Sequence, residues 1–257
     1  SEPELTLTLP DRRRYEATQI NVSQGNRAAV MINATRRRVA GAVDIAGLNL
    51  PEGVTVTPLQ MPANRPTVPL LLTATADAKL DGRLVNFVGS IADKPDLKGS
   101  YTQRHQLLIG RNTSVVYDYH ADRAAVAVIK AAPCTFEIVP PQVPIVRNGS
   151  MGLVVKVDRG GLDADISIRM LYNPPGIGSS GSIKIPKGKN EASIPLTANG
   201  SAAIGKWPVI VYASVGGNEI ATEPVMLEIA DKLFNFSFPK TSSELGATAN
   251  VLVDQQS

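Results

Sequence analysis

Short apolar runs, alternating with polar positions and closed by turn residues, recur along this entire chain. Glu4–Leu9 alternates leucine with threonine, and this period of two predicts a half-buried strand. Ala28–Asn33, Ala42–Ile45 and Leu84–Ile91 predict further strands, separated by turn signals. No stretch of about ten residues keeps the spacing of an amphipathic helix without a proline or glycine. The pattern therefore predicts an all-β chain.

One long segment occurs twice. Leu50–Ala76 and Asn173–Ala198 both run proline-x-glycine, a short strand, an apolar-proline step, a polar turn, and a strand ending leucine-threonine-alanine. Their matching positions lie 123 or 124 residues apart, and the same offset relates Arg36 to Arg159 upstream. An offset held across some fifty residues indicates two copies of one structural unit.

The repeat predicts how the chain is divided. Two tandem immunoglobulin-like antiparallel β-sandwiches are expected, at residues 1–131 and 132–231, each with about seven short strands. The first copy carries extra strands at 93–130, opened by a polar loop at 93–100. Residues 232–257 are expected to begin a third repeat or to form a tail. A third copy cut short predicts a longer array or pairing with a neighbouring domain.

The repeated phrase resembles a known group of modules. The match is carried in the first copy by 51–58, 61–62, 70–78 and 82–92, and in the second by Pro174, Gly176, Ile185, Pro186, Leu196–Ala198, Gly205 and the turn Asp158–Asp163. It resembles the tandem immunoglobulin-like repeats of large exported bacterial proteins, which accompany peptidase- or hydrolase-associated modules. The resemblance implies the sandwich fold and an extracellular, periplasmic or cell-surface location. It implies no activity, because one fold hosts many functions.

Composition narrows the list of partners. The 26 basic and 23 acidic residues leave a net charge of +3, too balanced to indicate nucleic acid or an anionic membrane as partner. The single cysteine, Cys134, excludes an internal disulfide. No apolar run approaches the length of a membrane span, and no direct membrane insertion is expected. The chain opens on a strand pattern, so any export signal is expected to have been removed or to lie outside this sequence.

The extra segment gathers the chain's unusual side chains. Both histidines, His105 and His120, lie there with Tyr101, Tyr117 and Tyr119. An aromatic face of this kind favours a ligand platform for sugars or for an apolar patch of another protein. The alternative interpretation is that the tyrosines cap a sandwich edge and the histidines are ordinary surface residues.

Two further candidate sites follow from residue types. Asp158, Asp163 and Asp165 offer oxygen ligands for a weak Ca²⁺ site, with a solvated turn as the alternative. Tyr101, Tyr117, Tyr119 and Trp207 are the aromatic residues that would form a sugar platform. Two histidines and one cysteine without short spacing do not indicate zinc, and no nucleophile motif is present. No cofactor is expected.

These observations predict a non-catalytic structural or interaction module for spacing, adhesion or assembly in an exported bacterial envelope or extracellular protein. Its partners would be other domains of the same parent chain or assembly, through edge strands open to strand addition or through a tail at 233–257. The alternative function is a carbohydrate-binding accessory domain of a secreted hydrolase. The basic runs Arg12–Arg14 and Arg36–Arg38 are expected to be solvated, since no aromatic residues alternate with them.

Overall fold

The structure is a computed structural model that describes residues 3–9, 19–57, 60–215, 217–232, 234–236 and 253–255. Apart from one turn at Arg111–Thr113, all regular structure in these ranges is β-strand. The first part of the chain forms β1 Leu5–Thr8, β2 Gln19–Ser23, β3 Arg27–Arg36, β4 Val43–Leu48, β5 Val54–Thr57, β6 Thr67–Ala74, β7 Gly82–Ile91, β8 Lys94–Tyr101, β9 Gln103–Ile109, β10 Val115–Ala121 and β11 Ala124–Ile129.

The remaining strands belong to the second half and to the end of the chain. They are β12 Thr135–Ile138, β13 Ile145–Val146, β14 Ser150–Asp158, β15 Ile166–Met170, β16 Ile177–Ser179, β17 Ile183–Ile185, β18 Glu191–Ala198, β19 Gly205–Val209, β20 Val211–Val215, β21 Asn218–Ala221, β22 Val225–Ala230, β23 Phe234–Phe236 and β24 Val253–Gln255. β23 and β24 pair with each other. Most of residues 232–257 and the basic run Arg12–Arg14 lie outside the described residues.

The first module is a sandwich of two layers around one core. One layer has the strand order β1-β3-β6-β5, and the other is built from β2, β11, β7 and β4. These are the A-B-E-D and A′-G-F-C orders of an immunoglobulin-like fold, with the A′–G pair parallel. Because successive side chains of a strand point to opposite faces, alternate residues of each strand enter the core between the two layers. The rings of Phe87 and Tyr101 are in contact there, with centroids 6.2 Å apart and planes at 80°.

The second module repeats this plan around its own core. β12-β14-β18-β16 form one layer, while β17-β15-β20-β21 and β13-β22-β19 form the other. β19 and β20 together correspond to the F strand, which changes partners at Ile210, so β19 pairs with β22 and β20 pairs with β21. The chain is thus all-β and built as tandem immunoglobulin-like β-sandwiches, as the alternation and the repeat predicted.

The predicted polar loop at 93–100 is wrong, because residues 94–100 of it belong to β8. A two-residue turn at Ala92 and Asp93 sends the chain back along β7, and β8 then pairs in parallel with β1. Gly99 is required there, since a Cβ would overlap the carbonyl oxygen of Leu5. Only alternate residues near the end of β8 face the core, which explains its polar sequence.

β8 and β11 together form the G strand of the first module. β11 pairs with the first residues of β7 and β8 pairs with its last ones, as β22 and β21 pair with β19 and β20. The two halves of G are separated by residues 102–123 in the first module but only by 222–224 in the second. The extra sequence is therefore an insertion into the middle of one strand.

Arg36 and Arg159 hold equivalent loops in the two modules. Arg36 donates from Nε to the Gly41 carbonyl at 3.1 Å and from its terminal nitrogens to the carbonyls of Met61, Pro62 and Arg65 at 3.0–3.5 Å. Arg159 makes the matching set to four carbonyls, those of Leu162, Ala164, Pro186 and Lys189. The expectation that Arg36 is simply solvated is therefore wrong, whereas Arg37 and Arg38 are exposed. A guanidinium suits this role because its five N–H donors lie in a rigid plane and can reach several carbonyl oxygens at once.

Candidate functional site

The insertion forms a two-stranded arm, defined here as residues 102–123. β9 and β10 pair antiparallel with each other and with no other strand in the described part of the chain. Gln103 lies opposite Ala121 at the base of the arm, where Gln103 is buried. Beyond this base no other strand of the described residues pairs with the ribbon. An isolated two-stranded ribbon is only marginally stable in water.

The strand register separates two faces of the arm. Tyr119 pairs with His105 and Tyr117 pairs with Leu108, so these four side chains share one side, called here the aromatic face. Irregularities in the register between Val115 and Asp118 twist the ribbon toward its tip. The aromatic face carries no carboxylate, lysine or arginine.

The opposite side of the arm, called here the charged face, carries Arg104, Asp118 and His120. The guanidinium of Arg104 pairs with the carboxylate of Asp118. His120 Nε2 lies 4.0 Å from the same carboxylate. The charges of this face are therefore already matched within the arm.

Large apolar side chains on the arm face solvent. The exposed fractions are 53% for Leu107, 54% for Leu108, 60% for Val116, 60% for Tyr117 and 56% for Tyr119. Five of the eleven large hydrophobic residues that are exposed in the described structure lie in this one hairpin, and Leu108, Tyr117 and Tyr119 among them share the aromatic face. Contiguous exposed apolar surface marks interaction sites.

The tip of the arm is a strained turn. Asn112 and Thr113 have φ angles of 57° and 60°, as in the two-residue turns that match the twist of a hairpin. Threonine is unfavourable at positive φ because its branched Cβ crowds the backbone. Ser114 closes the turn, accepting from the Gly110 amide at 2.8 Å. Arg111, at the start of this turn, is exposed.

Tyr101 is separated from the other candidate residues. It ends β8 with 2% of its surface exposed, packed against Phe87, and burial raises its pKa to about 12. His105 is half-buried, and His120, Tyr117 and Tyr119 are exposed. The structure thus brings Tyr117, Tyr119 and His105 together, turns His120 to the other face, and uses Tyr101 in the core.

The three aspartates proposed for calcium are engaged separately. Asp163 forms an ion pair with Lys187 at 2.6 Å. Asp165 accepts a hydrogen bond from the Lys187 amide at 2.9 Å, which lowers the pKa of its carboxyl, and Asp158 accepts from the Gly160 amide at 3.2 Å. Within the described residues no group of three or more histidine, cysteine, aspartate or glutamate side chains converges on a common point.

Trp207 belongs to a joint between the modules. The guanidinium of Arg65 lies 3.5 Å from the centroid of its ring, and Arg65 also donates to the Lys206 carbonyl at 3.4 Å. The indole N–H donates to the Ala203 carbonyl at 2.9 Å. One face of the ring is thus covered by the neighbouring module and is closed to a sugar.

The joint has a small apolar core and a polar rim. Ala29 and Leu71, on the outer side of the β3–β6 pair, are buried against Ile210, Tyr212 and Ala221 of the second module. At its rim, Arg27 pairs with Glu223 at 2.5 Å and the Asn26 amide donates to the Cys134 carbonyl at 3.4 Å. Sequence reasoning missed this contact. The signal was the run Leu70-Leu71-Leu72, because three consecutive apolar residues in a strand indicate burial on both sides.

Two open clefts flank the joint. One has a volume of about 230 Å³ and is lined by Gln19, Asn21, Asn218 and Glu219 beside Tyr212. The other has a volume of about 720 Å³ and is lined by Arg27, Glu137, Lys156, Glu191 and Glu223 among others. Neither lining contains a histidine or cysteine.

Among the described residues no helix is long and apolar enough to cross a membrane.

No family model and no curated protein matches the sequence. Solved structures are similar at low levels. The fibronectin(III)-like modules of Clostridium thermocellum CbhA are 12% identical, over 88% of this chain and 94% of theirs, with a TM-score of 0.25. The N-terminal Ig1-2 module of the Drosophila receptor protein tyrosine phosphatase DLAR is 10% identical, over 82% and 94%, with a TM-score of 0.33.

Domains 4–9 of the surface layer protein SbsC are 14% identical over 86% of this chain, which spans 31% of that structure, with a TM-score of 0.30. Similarity at this level says nothing about binding or catalysis. The immunoglobulin-like fold rests on the strand order of the chain itself.

Proposed function

We propose that this chain is a non-catalytic interaction module in which two jointed sandwiches present the arm to another protein. The observation that carries the proposal is the concentration of exposed leucine, valine and tyrosine side chains on a ribbon that pairs with no sheet of the described residues. Exposed tyrosines are typical of interaction sites, because they combine large contact area with little side-chain entropy.

The joint supports a presenting role. Two sandwiches connected only by a short linker would move relative to each other by default. Here the cation–π contact of Arg65 with Trp207, the ion pair of Arg27 with Glu223 and a small apolar core connect them. A jointed pair offers a longer, stiffer support for the arm than one module alone.

The proposal includes location outside the cytoplasm, in a bacterial envelope or secreted assembly. Its support is the resemblance of the repeated segment to immunoglobulin-like repeats of exported proteins. An antibody against the purified chain should label intact cells that produce the parent protein. Label that appears only after the cells are permeabilised would contradict this part of the proposal.

The arm's role is tested by photo-crosslinking. A benzoylphenylalanine at position 117 should form a polypeptide adduct, whereas the same group at Val143, which is equally exposed at 59%, should not. Excess unlabelled wild-type chain should compete for the adduct. A chain whose residues 102–123 are replaced by Thr-Glu-Pro, as at 222–224, should not compete. Equal adducts from both positions, or none from position 117, would refute the proposal.

The alternative of carbohydrate binding keeps only part of its platform. Tyr117 and Tyr119 share an exposed face, but Tyr101 is in the core and Trp207 is covered by Arg65. Glycan-array binding that is lost in Tyr117→Ala and retained in Tyr101→Phe would favour this alternative over a protein partner.

A further inference from the structure

We propose that the partner of the aromatic face is the same face of a second copy of this chain, in a weak two-fold dimer. This inference rests on the proposed function of the arm and specifies its partner. Three properties of the arm carry it: the distribution of charge, the amount of apolar surface, and the lack of a supporting sheet among the described residues.

Charge is the first argument. In a two-fold contact each face meets its own copy, so any net charge on that face would repel itself. The aromatic face, with His105, Leu108, Tyr117 and Tyr119, carries no carboxylate, lysine or arginine. The charged groups are on the opposite face, where Arg104 and Asp118 already pair. The arm therefore requires no oppositely charged partner.

The apolar area sets the strength of the contact. Leu108, Tyr117 and Tyr119 on this face are each 54–60% exposed, which corresponds to about 100 Å² per side chain and about 300 Å² per arm. Two arms would then bury about 600 Å² in total, below the standard size of a stable protein interface. A contact of this size gives a transient dimer, with a dissociation constant on the order of 10–100 µM.

The missing support is the third argument. A two-stranded ribbon gains stability when its apolar face packs on another layer. The described residues of this chain supply no such layer, and a second arm does. If the two ribbons stack with opposite directions, the Arg111 side chains at their tips lie at opposite ends of the contact and do not repel each other.

The test is sedimentation velocity of the full chain over a concentration series. Wild type should shift from monomer to dimer. Leu108→Ser should raise the dissociation constant at least tenfold, whereas Leu80→Ser, a matched control at 55% against 54% exposure, should leave it within about twofold. A wild-type chain that stays monomeric to about 1 mM would overturn the proposal, as would equal effects of the two serine variants.

A charge-swap experiment tests the two-fold geometry. Tyr117→Lys and Tyr117→Glu should each be monomeric alone, because each copy then repels its own kind, and an equimolar mixture should form a heterodimer. No recovery in the mixture would overturn the two-fold contact. Wild-type chain that floats with phosphatidylcholine–phosphatidylserine vesicles, in a manner lost in Leu108→Ser, would assign the face to lipid and also overturn the proposal.

The photo-crosslinking experiment separates this inference from the function on which it rests. An adduct at position 117 with twice the mass of the chain supports both. An adduct with a different protein leaves the interaction role in place and refutes self-pairing. The absence of an adduct refutes both.

Discussion

Replacing Arg159 by alanine removes four hydrogen bonds that hold two loops of the second module together. The guanidinium donates to the carbonyls of Leu162, Ala164, Pro186 and Lys189 at distances of 2.6–3.3 Å. A hydrogen bond to a charged group contributes about 1.5–3 kcal/mol, but Arg159 is half-exposed and water can replace part of each bond. We therefore expect a loss of about 3 kcal/mol in the free energy of unfolding, far below the sum of four full bonds.

Urea unfolding followed by tryptophan fluorescence measures this loss. Trp207 is the only tryptophan and lies in β19 of the same module. In a module of about 100 residues, the expected loss corresponds to a Tm about 15 °C lower. Arg159→Lys should recover less than half of the loss, because an ammonium group cannot reproduce the planar fork.

Arg38→Ala is the control, since Arg38 is exposed and no hydrogen bond or ion pair is described for it. We expect this substitution to change stability by less than about 0.5 kcal/mol. The reasoning fails if Arg159→Ala loses less than about 1 kcal/mol, or no more than the control does.

Three further outcomes are expected. Burial raises the pKa of Tyr101 and of Tyr172 to about 12, so both should ionise late in an alkaline titration. The stability that these two groups contribute is complete below about pH 10 and falls by up to about 3 kcal/mol per residue toward pH 12, and Tyr101→Phe should remove one late equivalent from the absorbance titration. Thr113→Gly should relieve strain at the arm tip and slow hydrogen exchange of β9 and β10 about threefold; unchanged or faster exchange would argue against strain there. Arg65→Ala should expose Trp207, red-shifting its emission and increasing acrylamide quenching; an unaltered spectrum would contradict the stacked geometry.

The fold was predictable because its evidence lies in side-chain periodicity. Alternation along the strands and the offset between the copies both follow from the repeat of one buried pattern. The role of Arg36 and Arg159 was not predictable, although their common offset was visible. Their acceptors are backbone carbonyls, which every residue carries, so no sequence pattern indicates them.

The candidate site was predictable only in part. The sequence shows that the tyrosines and histidines gather in the extra segment, but it does not show how deeply each side chain is buried. Tyr101 and Tyr117 occupy similar strand-like stretches. What separates them is that β8 pairs with both β7 and β1, whereas β10 pairs only with β9 in the described part of the chain. Such long-range pairing is a property of the whole fold and leaves no local signal.

The divided G strand also makes the first module a natural acceptor for foreign sequence. Its two halves, β8 and β11, each hold their own part of β7, so the ends of any inserted segment are kept close together before that segment folds. Lengthening a closed loop adds little entropy cost, about 0.6 kcal/mol per doubling. The second module has the same crossing at residues 222–224, still occupied by three residues. A binding hairpin could be grafted there, giving a two-armed chain on an otherwise unchanged pair of sandwiches.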